Sequence, residues 1–546
     1  MPSFPRDLAT GFVPHPDALA EQYRALGVFD DRPLWAPLAD RADSDAPAVS
    51  DAETGRTLSY RALLQAADRR AAGFAAVGLQ PGDRVVLHLS NSAEFAVTFF
   101  GLLRAGLAPV MTLPAHRITE IAHLAAGSGA RAYICDDARG GYDFRGLAAD
   151  LIARVPGVEH VFVTGDPGSF APLPDADTPW TPPTVDPDLP ALFLVSGGTT
   201  GLPKLIARTH NDYAFNARIS AEIAALTADD VYLAALPAAH NFPLSCPGLL
   251  GMIGVGGHTV FTQNPSPDAA FDVIEKYRVT VAALVPALAQ LWCAATEWEP
   301  ADISSLRLLQ VGGAKLAAPD AVAIDAAMGP IVQQVFGMAE GLICYTRVDD
   351  ARELVHVCQG APMSPLDEVR IVDEHGREVP DGEEGELQVR GPYTIRGYYR
   401  APEHNARSFS GDGFYSSGDL VRRLPSGHLA VTGRIKDTIV RAGENVAADD
   451  VEEHLLAHPA IAHTAVVGLP DDALGELICA VVVPGRDAAA PSLPDIRSFL
   501  ADRGLASFKL PDRLHTLGTL PVTSVGKIDK AALRTTLAPA SPPTVG

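Results

Sequence analysis

The chain has 546 residues, 47% of them hydrophobic, and a formal net charge of −23. At roughly 100–200 residues per domain this implies two to four folded units with sizeable cores. The acidic surplus is spread along the chain and argues against non-specific nucleic-acid binding, and no run of about 18 apolar residues is free of charges or turn formers, so neither nucleic acid nor membrane is an expected partner.

Residues 1–7 lack the apolar core of a secretory signal. From 58 to 135, helical and strand patterns alternate. A helix starts behind Ser59, a strand spans 84–89, a helix 94–105 and a strand 107–111, as in an α/β layered domain with a parallel sheet. Seven prolines in 172–190 exclude regular structure there. The apolar run 189–195 reads as a buried strand, and 231–236, 259–261, 281–285 and 306–311 continue the alternation. Between 353 and 435, short strands at 369–372, 385–390 and 428–432 sit among Gly-, Pro- and Asp-rich turns, which predicts a small β subdomain. A compact α+β unit follows, with helices at 448–456 and 494–500 and strands at 464–467 and 478–483. The expected division is a large domain over 1–435, a small domain over 436–537 and a disordered tail over 538–546. Cys135, Cys246, Cys293, Cys344, Cys358 and Cys479 form no C-x-x-C pair and no metal-ligand spacing. They read as core residues of a cytoplasmic protein.

The segment Ser196-Gly197-Gly198-Thr199-Thr200-Gly201-Leu202-Pro203-Lys204 follows the 189–195 strand. Glycines admit close backbone approach, and free N–H groups, hydroxyls and one ammonium suit a polyphosphate. It is not a Walker A sequence, because Pro203 precedes Lys204 and Leu205 follows it. Nor is Gly254-Val255-Gly256-Gly257 a dinucleotide fingerprint, because Thr259 holds the third glycine position. Four more segments follow in order: Val311-Gly312-Gly313-Ala314-Lys315, Gln334-Val335-Phe336-Gly337-Met338-Ala339-Glu340, Tyr415-Ser416-Ser417-Gly418-Asp419 and Gly433-Arg434-Ile435-Lys436-Asp437. Near the C-terminus, Lys527 comes after Gly526.

Together, over about residues 50–530, these segments resemble the adenylate-forming superfamily of acyl-CoA synthetases, luciferase and peptide-synthetase adenylation domains. The resemblance implies that fold, with a mobile C-terminal domain. It implies ATP and Mg²⁺ as cofactors. Ser196, Gly197, Gly198, Thr199, Thr200, Gly201 and Lys204 would hold the phosphates. Gly312, Gly313 and Ala314 would face adenine beside Val335, Phe336 and Gly337. Glu340 would bind Mg²⁺, Asp419 would take the ribose hydroxyls with Arg434 supporting it, and Lys436 would be the hinge. Lys527 would reach the carboxylate and α-phosphate, where two anions must be brought together.

Residues 237–248 narrow the likeness, with 333–342, Tyr345-Thr346-Arg347 and the N-terminal 23–29. They resemble stand-alone aryl-acid adenylation enzymes of siderophore assembly. By that likeness His240 joins Lys527 and Lys204 at the reacting carboxylate, and Asn241 meets the 2-hydroxyl and carboxylate. Phe242, Val335 and Ile343 sandwich the ring, close to Gly312 and Gly337. Phe242 stands where many members have tyrosine, and Cys344 where asparagine is common. At Cys246, dihydroxybenzoate enzymes tend to have serine and salicylate enzymes cysteine. A thiol is a weak donor, so salicylate is expected over 2,3-dihydroxybenzoate; 3-hydroxypicolinate and an aryl-CoA ligase are the alternatives. The run 441–445 resembles the loop that approaches a phosphopantetheine thiol. No carrier domain is expected after 530, so a separate aryl-carrier protein is the expected acceptor.

Overall fold

The computed structural model describes residues 8–196, 202–441, 444–471, 474–486, 488–503, 505, 507–523 and 526–538, without the side chains of Asn445 and Ser507. It is a mixed α/β protein with a large N-terminal and a small C-terminal domain. By packing, the chain separates into two compact units, 1–368 with 389–415, and 369–388 with 416–546. Residues 369–388 and 416–435, grouped with the large domain on sequence, thus pack with the C-terminal residues.

The first unit is built on two large sheets. One runs Ala361–Pro362, Ile343–Tyr345, Val332–Gly337, Leu308–Gly312, Val281–Leu284, Val231–Ala234, His258–Phe261, Pro47–Asp51, Thr57–Ser59. Its six central strands are parallel, and antiparallel strands close both edges. The other runs Leu205–Thr209, Pro190–Val195, Ala108–Met111, Arg84–His88, Ala132–Asp136, His160–Thr164, Ala171–Pro172. Arg84–His88, read as a strand on sequence, and Ala132–Asp136 are buried at every position, as parallel strands in the middle of a sheet are. Helix Tyr60–Ala76 starts where expected: Ser59 accepts the Ala62 N–H at 3.2 Å. The proline-rich connection is irregular over 173–189 only, because Pro172 ends one strand and Pro190 begins another, and it is pinned. Arg70 binds Asp175 at 2.8 Å, and Gly73 leaves room for Pro174, whose carbonyl oxygen would lie 2.2 Å from a Cβ there.

The second unit holds a sheet ordered Glu368–Val372, Glu384–Arg390, Tyr415–Arg423, Leu429–Arg434, and another ordered Glu444–Ala447, Thr438–Arg441, Gly475–Pro484, Ile461–Asp471, with Arg513–Thr516 also on Gly475–Pro484. Strand Gly475–Pro484 is covered on both faces. Ile478, Ala480 and Val482 pack with Val451, Leu455, Ile496 and Leu500, whereas Cys479 and Val481 pack with Leu469 and Leu533. A period of two with apolar residues in both phases is the pattern of such a strand. The six cysteines are free thiols, five of them buried. No described helix is long and apolar enough to cross a membrane.

Candidate active site

The phosphate loop proposed on sequence joins two antiparallel strands, Pro190–Val195 and Leu205–Thr209. Gly197, Gly198, Thr199, Thr200 and Gly201 lie outside the described residues. Its two ends are tied together. Ser196 N–H donates to the Lys204 carbonyl and Lys204 N–H to Ser196 Oγ, both at 3.0 Å. Lys204 Nζ stands 5.4 Å from the centre of the Tyr398 ring, a cation–π distance. The Tyr398 hydroxyl donates to Glu340 Oε1 at 2.7 Å and lies 2.9 Å from the Tyr415 hydroxyl. Burial and the Glu340 carboxylate keep the Tyr398 phenol protonated. Lys204 and Glu340, distant in sequence, are therefore brought to one aromatic residue that the sequence reading did not single out.

The turn carrying Glu340 is tight. Met338 N–H bonds the Leu342 carbonyl, and Gly341 has Thr394 so close that a Cβ would lie 2.6 Å from its Oγ1. Behind the turn, Arg208 donates from one terminal nitrogen to the Ala339 carbonyl at 3.0 Å. Arg208 is wholly buried and paired with Asp212 at 2.8 Å, and its guanidinium lies 4.7 Å from the centre of the Tyr213 ring. The Arg-to-Asp spacing of four in a helix-start sequence was the available signal for this pair.

The segment after strand Val231–Ala234 is held by Asn91. Its Nδ2 is within 3.0 Å of the carbonyls of Ala234, Leu236 and Thr262, and its Oδ1 accepts the Ala238 N–H. Residues 241–245 form a one-turn helix, Asn241–Ser245, with His240 as its cap. His240 Nδ1 accepts the Phe242 N–H at 3.2 Å, which leaves the proton of a neutral imidazole on Nε2. The rejected Gly-rich run ends the next helix, Gly248–Val255, where Gly256 has φ +89°.

Phe242 packs on Gly312. A Cβ at 312 would stand 3.1 Å from the Phe242 ring and 2.6 Å from the Val335 carbonyl oxygen. Gly312 is thus kept small by this protein's own side chain. Gly313 has φ +81° and takes the turn after strand Leu308–Gly312, with Ala314 next. Across the edge pairing, Phe336 faces Cys344 and Gly337 faces Ile343. A Cβ on Gly337 would meet Ile343 Cγ1 at 3.0 Å. Asn241 sits between Tyr213, whose hydroxyl donates to its Oδ1 at 2.8 Å, and Cys246, whose Sγ takes its Nδ2 at 3.5 Å. Burial pushes the Cys246 thiol up to about 12, so it is neutral. Asn241, Phe242, Cys246, Gly312, Val335, Gly337 and Ile343 all belong to the first unit.

In the second unit, Asp419 and Arg434 are register partners with Nε 2.6 Å from Oδ1. Burial raises the Asp419 carboxyl, against the pull of Arg434, Lys527 and Lys436; Asp419 in turn raises the Arg434 guanidinium. Burial lowers Lys436. These four charged residues, read from three separate sequence segments, share one electrostatic neighbourhood. Lys527 lies on a small turn, its carbonyl accepting the Thr523 N–H at 2.6 Å.

The AMP-binding enzyme family model matches residues 38–399, and that of the AMP-binding enzyme C-terminal domain matches 450–527. The chain is 53% identical over 533 residues to a salicyl-AMP ligase / salicyl-S-ArCP synthetase of Mycobacterium tuberculosis, covering 96% of this chain and 94% of that one. It is 48% identical to a 2,3-dihydroxybenzoate-AMP ligase of Bacillus subtilis, covering 96% and 97%. The apo structure of Mycobacterium smegmatis MbtA, 53% identical, superposes with a TM-score of 0.75, covering 97% of this chain and 99% of that one.

Proposed function

From the premise that the chain belongs to the AMP-binding enzyme family, we propose that it uses ATP to convert salicylate to salicyl-AMP and pyrophosphate, then passes the salicyl group to the phosphopantetheine thiol of a separate aryl-carrier protein in the cytoplasm. The carrying observation is the buried corner in which Phe242 lies on Gly312 while Asn241 bridges Tyr213 and the neutral Cys246 thiol. It offers a flat apolar surface for a ring, one amide for an ortho oxygen and the carboxylate, and a weak thiol where a 3-hydroxyl would need a strong partner. The relative at 53% identity bears the name of a salicyl-AMP ligase.

The chemistry needs charge neutralisation rather than a covalent nucleophile. A carboxylate oxygen attacks the α-phosphorus, forming the acyl–phosphate bond as the bond to pyrophosphate breaks. Lys527 balances the charge that develops on carboxylate and α-phosphate, Lys204 that on the leaving pyrophosphate, and the 196–201 loop binds the phosphates. His240 stands beside Asn241 at the carboxylate. Gly313, Ala314 and Phe336 bound the adenine, and Asp419 with Arg434 holds the ribose. Glu340 is a single carboxylate with Tyr398 on one oxygen, and among the described residues no cluster of three metal-type side chains occurs. That donor set suits Mg²⁺, which is held largely by phosphate oxygens and water. The ion would supply neutralisation of phosphate charge. Lys436 is the hinge at which the domain beginning near 436 turns between half-reactions.

The test is a screen of salicylate, 2,3-dihydroxybenzoate, 3-hydroxypicolinate and benzoate by ATP–pyrophosphate exchange, with carrier protein and coenzyme A compared as thiol acceptors. Salicylate should give the highest kcat/KM and the carrier should be the acceptor. A preference for another acid, or for coenzyme A, refutes that part of the proposal.

A further inference from the structure

Asn241 can present either amide atom to a ligand, and its orientation decides whether the pocket donates or accepts at that point. The surrounding hydrogen bonds fix the choice. Asn216, on helix His210–Ile223, donates from Nδ2 to the Ser245 carbonyl at 2.7 Å and to Ser245 Oγ at 2.9 Å. Both bonds tie Ser245, the last residue of the Asn241–Ser245 helix, to this helix. From the same helix, the Tyr213 hydroxyl donates to Asn241 Oδ1 at 2.8 Å. Asn241 Nδ2 is left on the other side, where its one partner among the described residues is Cys246 Sγ at 3.5 Å. Every member of the chain is buried, so water does not randomise it. Arg208 packs on the Tyr213 ring and steadies the start of this helix through Asp212, which accepts the Thr209 N–H at 2.8 Å.

We propose that Tyr213 is a positioning residue that locks the Asn241 amide with its N–H₂ toward the aryl acid, so that the pocket selects an ortho acceptor over an ortho donor. This rests on the reading that Asn241 faces the ortho substituent of an aryl acid. Salicylate, whose phenol oxygen can accept, fits the locked amide. Anthranilate, with an ortho amino group, meets donor with donor.

The experiment compares salicylate and anthranilate in ATP–pyrophosphate exchange by the full chain and its Tyr213→Phe variant. Removing the hydroxyl frees the amide to turn and offer Oδ1. The anthranilate-to-salicylate ratio of kcat/KM should rise about tenfold, the worth of one hydrogen bond, with KM for ATP unchanged. A purely structural loss lowers both acids together and leaves the ratio where it was; a ratio within twofold of wild type overturns the proposal. If Tyr213→Phe does not fold, Asn241→Asp presents an oxygen to the pocket with Tyr213 intact. The ratio should rise there too, and no rise overturns the proposal. A wild-type protein that gives no exchange with either acid overturns the substrate reading and this proposal with it, whereas salicylate-dependent wild-type exchange with an unmoved ratio overturns this proposal alone.

Discussion

Replacing Cys246 with serine probes the substrate assignment at a single atom. Cys246 is 3% exposed, its thiol is neutral, and its Sγ lies 3.5 Å from Asn241 Nδ2 and 3.8 Å from Asn216 Nδ2. A 3-hydroxyl brought against that sulfur gives up its water for a weak partner, while a serine oxygen donates and accepts. An unsatisfied buried hydroxyl costs about 1–3 kcal/mol. At 1.4 kcal/mol per tenfold, Cys246→Ser should raise the ratio of kcat/KM for 2,3-dihydroxybenzoate over salicylate by roughly 5- to 140-fold. Both acids are measured by pyrophosphate exchange, with a thermal melt confirming that the variant is folded. A folded variant whose ratio stays within twofold of wild type refutes the argument from the thiol. So does a wild-type enzyme that already prefers the dihydroxy acid.

Two further outcomes follow from packing and charge. Gly312→Ala forces a methyl to within 2.6 Å of the Val335 carbonyl oxygen and 3.1 Å of Phe242. It should cost about 1–3 kcal/mol in stability and raise KM for the acid at least tenfold, read by thermal melting and exchange kinetics; an unaltered KM contradicts the packing of Phe242 on Gly312. Asp367 accepts the Tyr393 hydroxyl at 2.5 Å and the Ser364 N–H at 3.0 Å, and burial raises its carboxyl to about 7. Its native form holds the proton more tightly than the unfolded chain, so its contribution to stability falls as pH rises from about 4 to about 7 and is level above that. Asp367→Asn lacks this loss. Its unfolding free energy relative to wild type, read by denaturant unfolding, should climb across the same window, toward a gain of about 4 kcal/mol at the top, from about three pH units at 1.36 kcal/mol each; a difference that does not change with pH contradicts it.

Much of the scaffold was legible because its signals are local. Ser59 capped its helix, the 448–456 pattern matched Ala448–Leu456, and the 478–483 run marked a strand covered on both faces. The helix Asn241–Ser245 was not legible: five residues are too few for a 3.6-residue period, and Pro243 lies inside it. The packing of residues 369–388 and 416–435 with the C-terminal part was also hidden, since sequence order says nothing of which segments share a core. Of the candidate site, the residues proposed to carry the chemistry were picked out by motif, but the residues that hydrogen-bond to them were not. Tyr213, Asn216 and Ser245 act through hydrogen bonds spanning about thirty positions, and Tyr398 meets Glu340 across 58. Such pairings are set by tertiary structure and leave no periodic trace.

The central claim is that acid activation runs through Lys527 on the small domain. Salicylate-dependent ATP–pyrophosphate exchange by wild type and Lys527→Ala tests it most directly. Wild type should exchange, and a variant with unchanged melting behaviour should be at least about 100-fold slower, as expected when a charge stabilising the transition state is removed. Exchange by Lys527→Ala at the wild-type rate would contradict the account.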